Sequence, residues 1–140
     1  GLVRDPDENI AGTQIVHQEM ASPGSAITLA SSFKVTGALT VFGPGAEQPE
    51  GVSAAPTLEW ADDSSEDIYK VFVYDAYGDL VWKDENIPGQ SGGGNVTIAY
   101  GGPLEKGMYY QFRASSWRVK ASGTTAISAT EDLRGVFFGQ

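Results

Sequence analysis

Short runs in which hydrophobic and polar residues alternate make up much of this chain. In residues 68–75, the side chains of Tyr69, Val71, Val73 and Asp75 fall on one face of an extended strand, and the remaining residues fall on the other. A period of two is typical of a half-buried antiparallel strand. We expect the face that contains the tyrosine and the two valines to lie in the core.

Several other segments have the same strand character, and residues typical of turns separate nearly all of them. The predicted strands are residues 14–18, 26–30, 33–42, 57–60, 68–75, 80–83, 95–100, 109–119 and 126–138. The glycine-containing turn at 76–79 predicts a hairpin between two of these strands. No window keeps an apolar stripe of helical period over three turns, so the pattern predicts an all-β fold with almost no helix.

The domain organisation follows from the chain length and from one Pro- and Gly-rich segment. A chain of 140 residues fits a single domain with its own core. Residues 43–56 contain three prolines and three glycines, and we interpret them as a connection. Because residues 1–42 are too few to fold alone, we expect them to be an N-terminal extension that supplies the first strand and packs on a core formed by residues 56–140.

The composition excludes several kinds of site and partner. The chain has no cysteine, which excludes disulfides and thiolate metal sites. Its 18 acidic and 9 basic residues give a net charge of −9, which argues against binding to nucleic acid or to an anionic membrane. No apolar run is long enough for a membrane helix and no signal segment opens the chain, so we expect a fragment of a longer precursor that does not itself insert into a membrane.

A turn followed by an alternating strand lies near the middle of the second half of the chain. Gly107 provides the turn, and Tyr110 is the first apolar residue of the strand that projects to the predicted core. With Leu104, these residues resemble the tyrosine corner of fibronectin type III and immunoglobulin-like sandwiches, in which the Tyr hydroxyl bonds to upstream backbone. The resemblance therefore implies that Tyr110 is buried and bonded near Leu104.

The order of motifs from residue 56 to residue 114 resembles a fibronectin type III module. Residues 56–60 resemble the strand that carries the core tryptophan, here Trp60, and residues 69–73 resemble the next inner strand. The sequence departs from the family at Lys106, where proline is often found, and in its long N-terminal segment. The resemblance implies an immunoglobulin-like antiparallel β-sandwich, of the kind found as modules of bacterial surface or secreted proteins.

A cluster of acidic residues separates two predicted strands at residues 62–67. Oxygen-rich loops of this kind can bind Ca²⁺, which makes Asp62, Asp63 and Asp67 candidate ligands. The spacing does not match that of an EF-hand loop. We therefore favour a solvated loop whose charges discourage aggregation, with calcium binding as the alternative, and we predict no cofactor.

Two features could suggest a hydrolase, but neither has the expected context. His17 is the only histidine and lies in a strand-like run, so it is interpreted as an ordinary histidine. Ser91 lies in a Gly-x-Ser-x-Gly pattern, but a hydrolase elbow leaves a strand and opens a helix, whereas this one follows Pro88 and leads into a strand. With no cluster of acids marked out by spacing, we predict that the protein is not an enzyme.

Aromatic side chains provide the other candidate site. Trp60 is predicted to lie in the core, whereas Trp82 beside a hairpin, Trp117 out of phase with the inward residues, and Tyr77 at a turn are candidates for exposure. Exposed aromatic rings on a sandwich can stack on sugar rings. Packing against loops or against the N-terminal segment is the favoured alternative for all three.

Together these observations favour a non-enzymatic structural or protein-binding module of a larger surface or secreted protein. The alternative is a carbohydrate-binding module. Its partner would be a protein or a cell-surface polysaccharide, and its place would be outside a bacterial cell or on the cell surface, where residues outside this fragment could carry a lipid anchor. Coplanar exposed aromatic rings would favour sugar, and a flat unpaired edge strand would favour a protein partner.

Overall fold

A computed structural model describes residues 8–11, 22–24, 26 and 34–140 of the chain. These residues form strands and turns without a helix, which confirms the all-β prediction. The strands are β1 (Glu8–Ala11), β2 (Lys34–Gly37), β3 (Val41–Gly43), β4 (Glu50–Val52), β5 (Thr57–Ala61), β6 (Ile68–Asp75), β7 (Leu80–Pro88), β8 (Asn95–Ala99), β9 (Tyr109–Lys120), β10 (Gly123–Ala129) and β11 (Val136–Gly139). The predicted strands at 14–18 and, apart from residue 26, at 26–30 lie outside the described residues.

Two sheets face each other in a sandwich-like arrangement. The small sheet has the order β3-β5-β8, and the large sheet has the order β4-β11-β9-β6-β7. Strand β9 is long enough to pair with β6 on one edge and with two strands on the other, β11 near its start and β10 near its end. All these pairs are antiparallel except β4 with β11. Strands β1 and β2 form a separate antiparallel pair beside β10.

The core lies between the two sheets and is rich in aromatic rings. Its buried apolar residues are Leu39, Val41, Leu58, Trp60, Tyr69, Val71, Val73, Ile87, Val96, Tyr100, Tyr110, Phe112, Ala114 and Phe137. Trp60 of the small sheet contacts Tyr69 edge-on, with ring centroids 5.7 Å apart, and lies 6.3 Å from Phe112 of the large sheet. The predicted inward face of β6 and the predicted core position of Trp60 are both confirmed.

A second aromatic cluster surrounds Tyr110 at one end of the core. Its ring stacks on Phe137 at a centroid distance of 5.5 Å, and its hydroxyl accepts a hydrogen bond from the Glu105 backbone N–H at 3.0 Å. Gly107 makes the predicted turn with a φ of 79°, a conformation that residues with a Cβ rarely adopt. The predicted burial of Tyr110 and its bond to backbone next to Leu104 are therefore both present.

Four predicted segments differ from the structure. The predicted strand at 33–42 is divided into β2 and β3, which belong to different sheets. Residues 43–56 are not only a connection, because they contain β4, whose pairing with the distant β11 no local pattern reveals. The predicted last strand at 126–138 is divided into β10 and β11 by a turn at 131–134. Strand β7 extends to Pro88, beyond the predicted end at 83, and buries Ile87 in the core.

The chain enters the sandwich before β3. Leu39 and Val41 are buried in the core, and backbone hydrogen bonds join Leu39 N–H to Ala129 C=O and Ala61 N–H to Thr40 C=O. Residues 39–43 therefore form part of the sandwich, as predicted for the first strand. Most of residues 1–33 lie outside the described part of the chain, so packing of the whole extension remains a prediction.

Replacing Tyr110 with Phe should lower the free energy of unfolding by about 1–3 kcal/mol, because the Glu105 N–H would lose its acceptor in a partly buried position. Urea unfolding followed by tryptophan fluorescence measures this change. Tyr109→Phe is the matched control, since Tyr109 is half exposed on the opposite face of β9 and should unfold like the wild type. Equal stability of the two variants would contradict the structural role of the corner.

Candidate functional site

The acidic cluster forms the β5–β6 connection, and its first carboxylate contacts a core tyrosine. Asp62 Oδ1 accepts a hydrogen bond from the Tyr69 hydroxyl at 2.7 Å, and the same hydroxyl accepts one from the Asp63 N–H at 2.5 Å. Burial raises the pKa of Tyr69, because the phenolate would have to lose its hydration. The hydroxyl therefore stays protonated and holds the loop against the end of the core.

The second carboxylate joins the loop to the large sheet. Asp63 Oδ1 accepts hydrogen bonds from the N–H and hydroxyl of Ser65, and Asp63 Oδ2 accepts one from the buried Ser116 hydroxyl at 2.7 Å. The Ser116 oxygen in turn accepts a hydrogen bond from the Ser128 N–H at 3.1 Å. A continuous polar network thus connects the β5–β6 loop with β9 and β10.

The last two carboxylates of the cluster also accept backbone hydrogen bonds. Asp67 Oδ2 accepts one from Val119 N–H at 2.6 Å, and Glu66 Oε1 accepts one from Gln90 N–H at 3.2 Å. Burial raises the pKa of the Glu66 carboxyl, and the negative charges of Asp62 and Asp63 act in the same direction. Glu66 Oε2 is buried and has no hydrogen-bond partner among the described residues.

These contacts define what the acidic cluster can do chemically. Each of the three predicted metal ligands, Asp62, Asp63 and Asp67, accepts hydrogen bonds that hold neighbouring segments together. Across residues 8–11, 22–24, 26 and 34–140, no three or more acidic or histidine side chains converge as a metal site. The loop geometry therefore favours a structural role for these carboxylates.

A cleft of about 310 Å³ lies next to this loop, between residues 37–40, 61–65 and 127–128. Its polar groups are carboxylates, hydroxyls and backbone, and the Ser128 hydroxyl donates a hydrogen bond to the Gly37 C=O. Among the residues that the structure describes, the ionisable side chains that line the cleft are the carboxylates of Asp62 and Asp63. His17 lies outside the described residues, and Ser91 is exposed in the glycine-rich loop before β8.

The three predicted stacking residues lie in different places. Trp82 faces inward and contacts Tyr100 edge-on at 5.4 Å, so it belongs to the margin of the core. Trp117 faces outward, with Lys70 Nζ 4.6 Å from its ring centroid, and its N–H donates to the Ser115 hydroxyl. Tyr77 is 82% exposed at the β6–β7 turn. The structure therefore does not bring these three rings together on one surface.

A different set of side chains forms the main exposed apolar surface on the large sheet. We call this surface the outer face, and its apolar residues are Phe72, Tyr74, Leu80, Tyr109, Val136 and Phe138. Tyr109 is paired with Phe138, and their rings stack with centroids 4.9 Å apart. The alternation of β6 predicted that Phe72 and Tyr74 would point away from the core, but no sequence pattern predicted the outward positions of the other four residues.

Cross-strand register makes the outer face continuous. Val136 on β11 is paired with Gln111 on β9, Gln111 with Tyr74 on β6, and Tyr74 with Leu80 on β7. Side chains of paired residues project to the same side of a sheet. The row therefore crosses four strands, from the β11 side to the β7 edge.

Charged side chains on the outer face neutralise one another. Arg113 forms an ion pair with Asp132, and Lys83 and Lys70 both lie near Glu85, at 2.6 and 3.8 Å. The hydrogen bond from Lys83 lowers the pKa of the Glu85 carboxyl. Since these charges are paired within the surface, the outer face presents apolar groups without a strong field of one sign.

The turn between β10 and β11 places an exposed leucine beside this face. Leu133 is 85% exposed with a φ of 72°, a backbone conformation that is rare for a bulky residue. The ion pair between Asp132 and Arg113 holds the turn in place, and the Gln111 side chain donates a hydrogen bond to the Arg134 C=O. Arg134 Nε also donates a hydrogen bond to the Glu131 carboxylate at 3.1 Å. No sequence pattern indicated this residue, because its exposure depends on how the turn is anchored.

Comparison with known proteins gives no match: no family model, no curated protein and no solved structure matches this chain. The described part of the chain contains no helix that is long and apolar enough to cross a lipid bilayer.

Replacing Glu66 with Gln should change how stability depends on pH. Because the folded protein holds the Glu66 proton more tightly than the unfolded chain does, the wild type should lose stability as pH rises from about 4.5 through the raised pKa. The variant lacks this loss, so the wild type should become less stable relative to it over that interval. The difference should be constant at higher pH.

Urea unfolding at a series of pH values measures this difference between the wild type and Glu66→Gln. Glu105→Gln, at an exposed glutamate, controls for the loss of one negative charge. If the wild type instead lost stability relative to Glu66→Gln as the pH was lowered, the change would have the opposite sign and would contradict a raised pKa of Glu66.

Calcium should leave the stability of the protein nearly unchanged, because the candidate carboxylates already hold backbone and hydroxyl groups. Binding at one site would add about 2.7 kcal/mol at a roughly hundredfold excess over the dissociation constant. Thermal unfolding with calcium and with a chelator makes the comparison. A calcium-dependent rise that disappears in the Asp62→Asn, Asp63→Asn, Asp67→Asn triple variant would make the loop a calcium site.

Proposed function

We propose that this chain is an immunoglobulin-like, fibronectin type III-like sandwich module. The order of the strands supports this assignment, since such modules place the first, second and fifth strands in one sheet and the third, sixth and seventh in the other. Counting β3, β5, β6, β7, β8, β9 and β11 as the first to seventh strands gives that distribution, with β7 as the fourth strand beside β6. Buried Trp60 and the Tyr110 corner are further support.

The function that we propose is non-enzymatic binding of a protein partner through the outer face of the large sheet. The observation that carries it is the cross-strand row of four residues in which partly exposed apolar side chains of three strands flank one glutamine, namely Val136, Gln111, Tyr74 and Leu80. The inward residues of the same strands already fill the core, so folding does not require an apolar outer face. Contiguous exposed apolar surface of this kind is typical of interaction sites, where aromatic residues provide most of the affinity.

The paired charges of the outer face support a protein partner more than a highly charged polymer. Burying Arg113 with Asp132, or Lys83 with Glu85, would not leave an uncompensated charge in an interface. Leu133 adds an anchoring side chain at the margin, on a turn whose ion pair and hydrogen bonds limit its freedom before binding. Preorganisation of this kind lowers the entropic cost of association.

Carbohydrate binding is the second candidate, and the Tyr109–Phe138 pair is the observation that favours it. Stacking uses one side of each ring, and Tyr109 is still 46% exposed, so a sugar ring could lie against the remaining surface. A cell-surface polysaccharide would be the corresponding ligand. We further propose that the module acts outside the bacterial cytoplasm within a larger surface or secreted protein, on the strength of the family resemblance.

A photo-crosslinking side chain at position 74 should capture one discrete protein partner in the native host, because this position is central in the outer face. The same side chain at Phe42, which is exposed on the small sheet, is the matched control and should capture none. With the captured partner purified, Tyr74→Ser and Leu80→Ser should each weaken binding by about tenfold or more and leave unfolding nearly unchanged.

The carbohydrate candidate has its own measurement. Tryptophan and tyrosine fluorescence is titrated with polysaccharide extracted from the host surface, and Tyr109→Ser is compared with the wild type. Saturable polysaccharide binding that depends on Tyr109, without a crosslinked protein at position 74, would replace the protein-binding proposal with the sugar-binding one. Absence of both signals would contradict any binding role for the outer face.

A further inference from the structure

Strand β8 is at the edge of the small sheet, and within residues 8–11, 22–24, 26 and 34–140 no other strand pairs with its second side. Strand β8 pairs with β5, and a backbone hydrogen bond flanks the pair at each end: Asp62 N–H donates to Gly94 C=O, and Tyr100 N–H donates to Pro56 C=O. These two bonds show which residues of β8 turn their peptide groups toward β5. Since bonding direction alternates along an antiparallel strand, Val96 and Ile98 bond to β5 and their neighbours do not. The N–H and C=O groups of Asn95, Thr97 and Ala99 therefore lie in the plane of the sheet and point to the side of β8 opposite β5.

This edge lacks the features that usually protect an edge strand. Asn95, Thr97 and Ala99 are exposed, and residues 86–104 contain no charged side chain. The edge strand of the large sheet differs, since β7 carries Lys, Asp and Glu residues and its pairing with β6 is interrupted by two register shifts. Charges and bulges discourage the addition of another strand, so β8 is the more open of these two edges.

The surroundings of β8 also leave room for another strand. Glycines precede it at 92–94 and follow it at 101–102, so no side chain projects from the backbone at either end. Toward the interior, Ile98 and Trp82 are only half buried at the margin of the core. A strand added to β8 would satisfy the outward peptide groups and could cover this apolar margin with its own inward side chains.

We propose that a second copy of this chain occupies this edge, with the two β8 strands antiparallel about a twofold axis at Thr97. Thr97 would face Thr97 of the second copy, and Asn95 would face Ala99, so each outward peptide group finds a partner. In the same register Val96 faces Ile98 of the second copy. Threonine and β-branched apolar pairs are favourable across strands, so the sequence of β8 is complementary to itself.

Charge opposes the association of two copies of this chain. Each copy carries a net charge of −9, which opposes association over most of the surface. Strand β8 itself carries no charge, but Glu59 is paired with Thr97 on the neighbouring strand and accepts a hydrogen bond from Asn95 Nδ2 at 2.6 Å, so it contributes to the repulsion at this edge. Two short strands bury much less than the roughly 800 Å² per partner of a stable interface, so we expect weak association that added salt strengthens.

Sedimentation equilibrium of the whole chain from about 10 µM to about 1 mM tests the proposal, at low salt and at about 0.5 M NaCl. We expect a monomer–dimer equilibrium whose association constant rises with salt. Thr97→Pro removes an outward N–H without removing a bond to β5, so the domain should fold but associate at least about tenfold more weakly. Thr97→Ala keeps that N–H and is the matched control, which should associate within about threefold of the wild type.

Two further measurements keep the test decisive. Thr97→Lys provides an alternative block if the proline variant loses its folded circular-dichroism spectrum, since an edge lysine discourages pairing. Amide hydrogen exchange should show that protection of Asn95, Thr97 and Ala99 rises with protein concentration, whereas Val96 and Ile98 are protected at all concentrations.

Three results would overturn the proposal. The first is a monomer at about 1 mM in both salts, and the second is a Thr97→Pro variant that folds and dimerises like the wild type. The third is protection of the three outward amides by an added extended peptide with alternating apolar residues but not by a second copy. That result would assign the edge to a foreign segment instead.

Discussion

The packing of Trp60 between the two sheets is the interaction on which the rest of the structure depends. Its ring contacts Tyr69 and Phe112, so one side chain of the small sheet touches both central strands of the large one. The Trp60 N–H is buried without an acceptor among the described residues, a cost that the surrounding aromatic contacts must offset. Because β6 and β9 are fixed by this contact, the direction of every other side chain on them is fixed as well.

This constraint produces the outer face as a consequence of alternation. Once Tyr69, Val71 and Val73 are buried, Phe72 and Tyr74 must project to the other side of the sheet. Solubility alone would favour polar residues at those positions. Their apolar character, and the alignment of Tyr74 with Leu80, support the proposed role of this face in recognition.

The features predicted from sequence are those that depend on local periodicity. Strand β6 begins and ends where the pattern indicated, and the phase of β9 placed Tyr110 inward and Trp117 outward. Strand β4 was missed because Glu50 to Val52 has no alternation of its own and is ordered by pairing with β11, which lies more than eighty residues further along the chain. Pairing over such a distance leaves no signal in the three residues themselves.

The same limit applies to the candidate sites. Sequence identified the carboxylates of the β5–β6 loop but not the groups that donate hydrogen bonds to them, since Ser116 and Val119 approach only after β9 is placed. It named Trp82 as a candidate for exposure, with packing against loops or the N-terminal segment as the favoured alternative, and did not indicate the contact with Tyr100 that places this ring at the core margin. Side chains whose environment is set by another strand cannot be assigned from their own neighbours in sequence.

The two proposed surfaces are compatible because they belong to different sheets. A twofold axis at Thr97 would run perpendicular to the small sheet, so the large sheets of both copies would lie on the same side of the joined small sheets. Their outer faces would then point in the same direction. Two weak contacts with one extended or repetitive partner would become bivalent, and the gain in effective concentration would compensate for a modest affinity at each outer face.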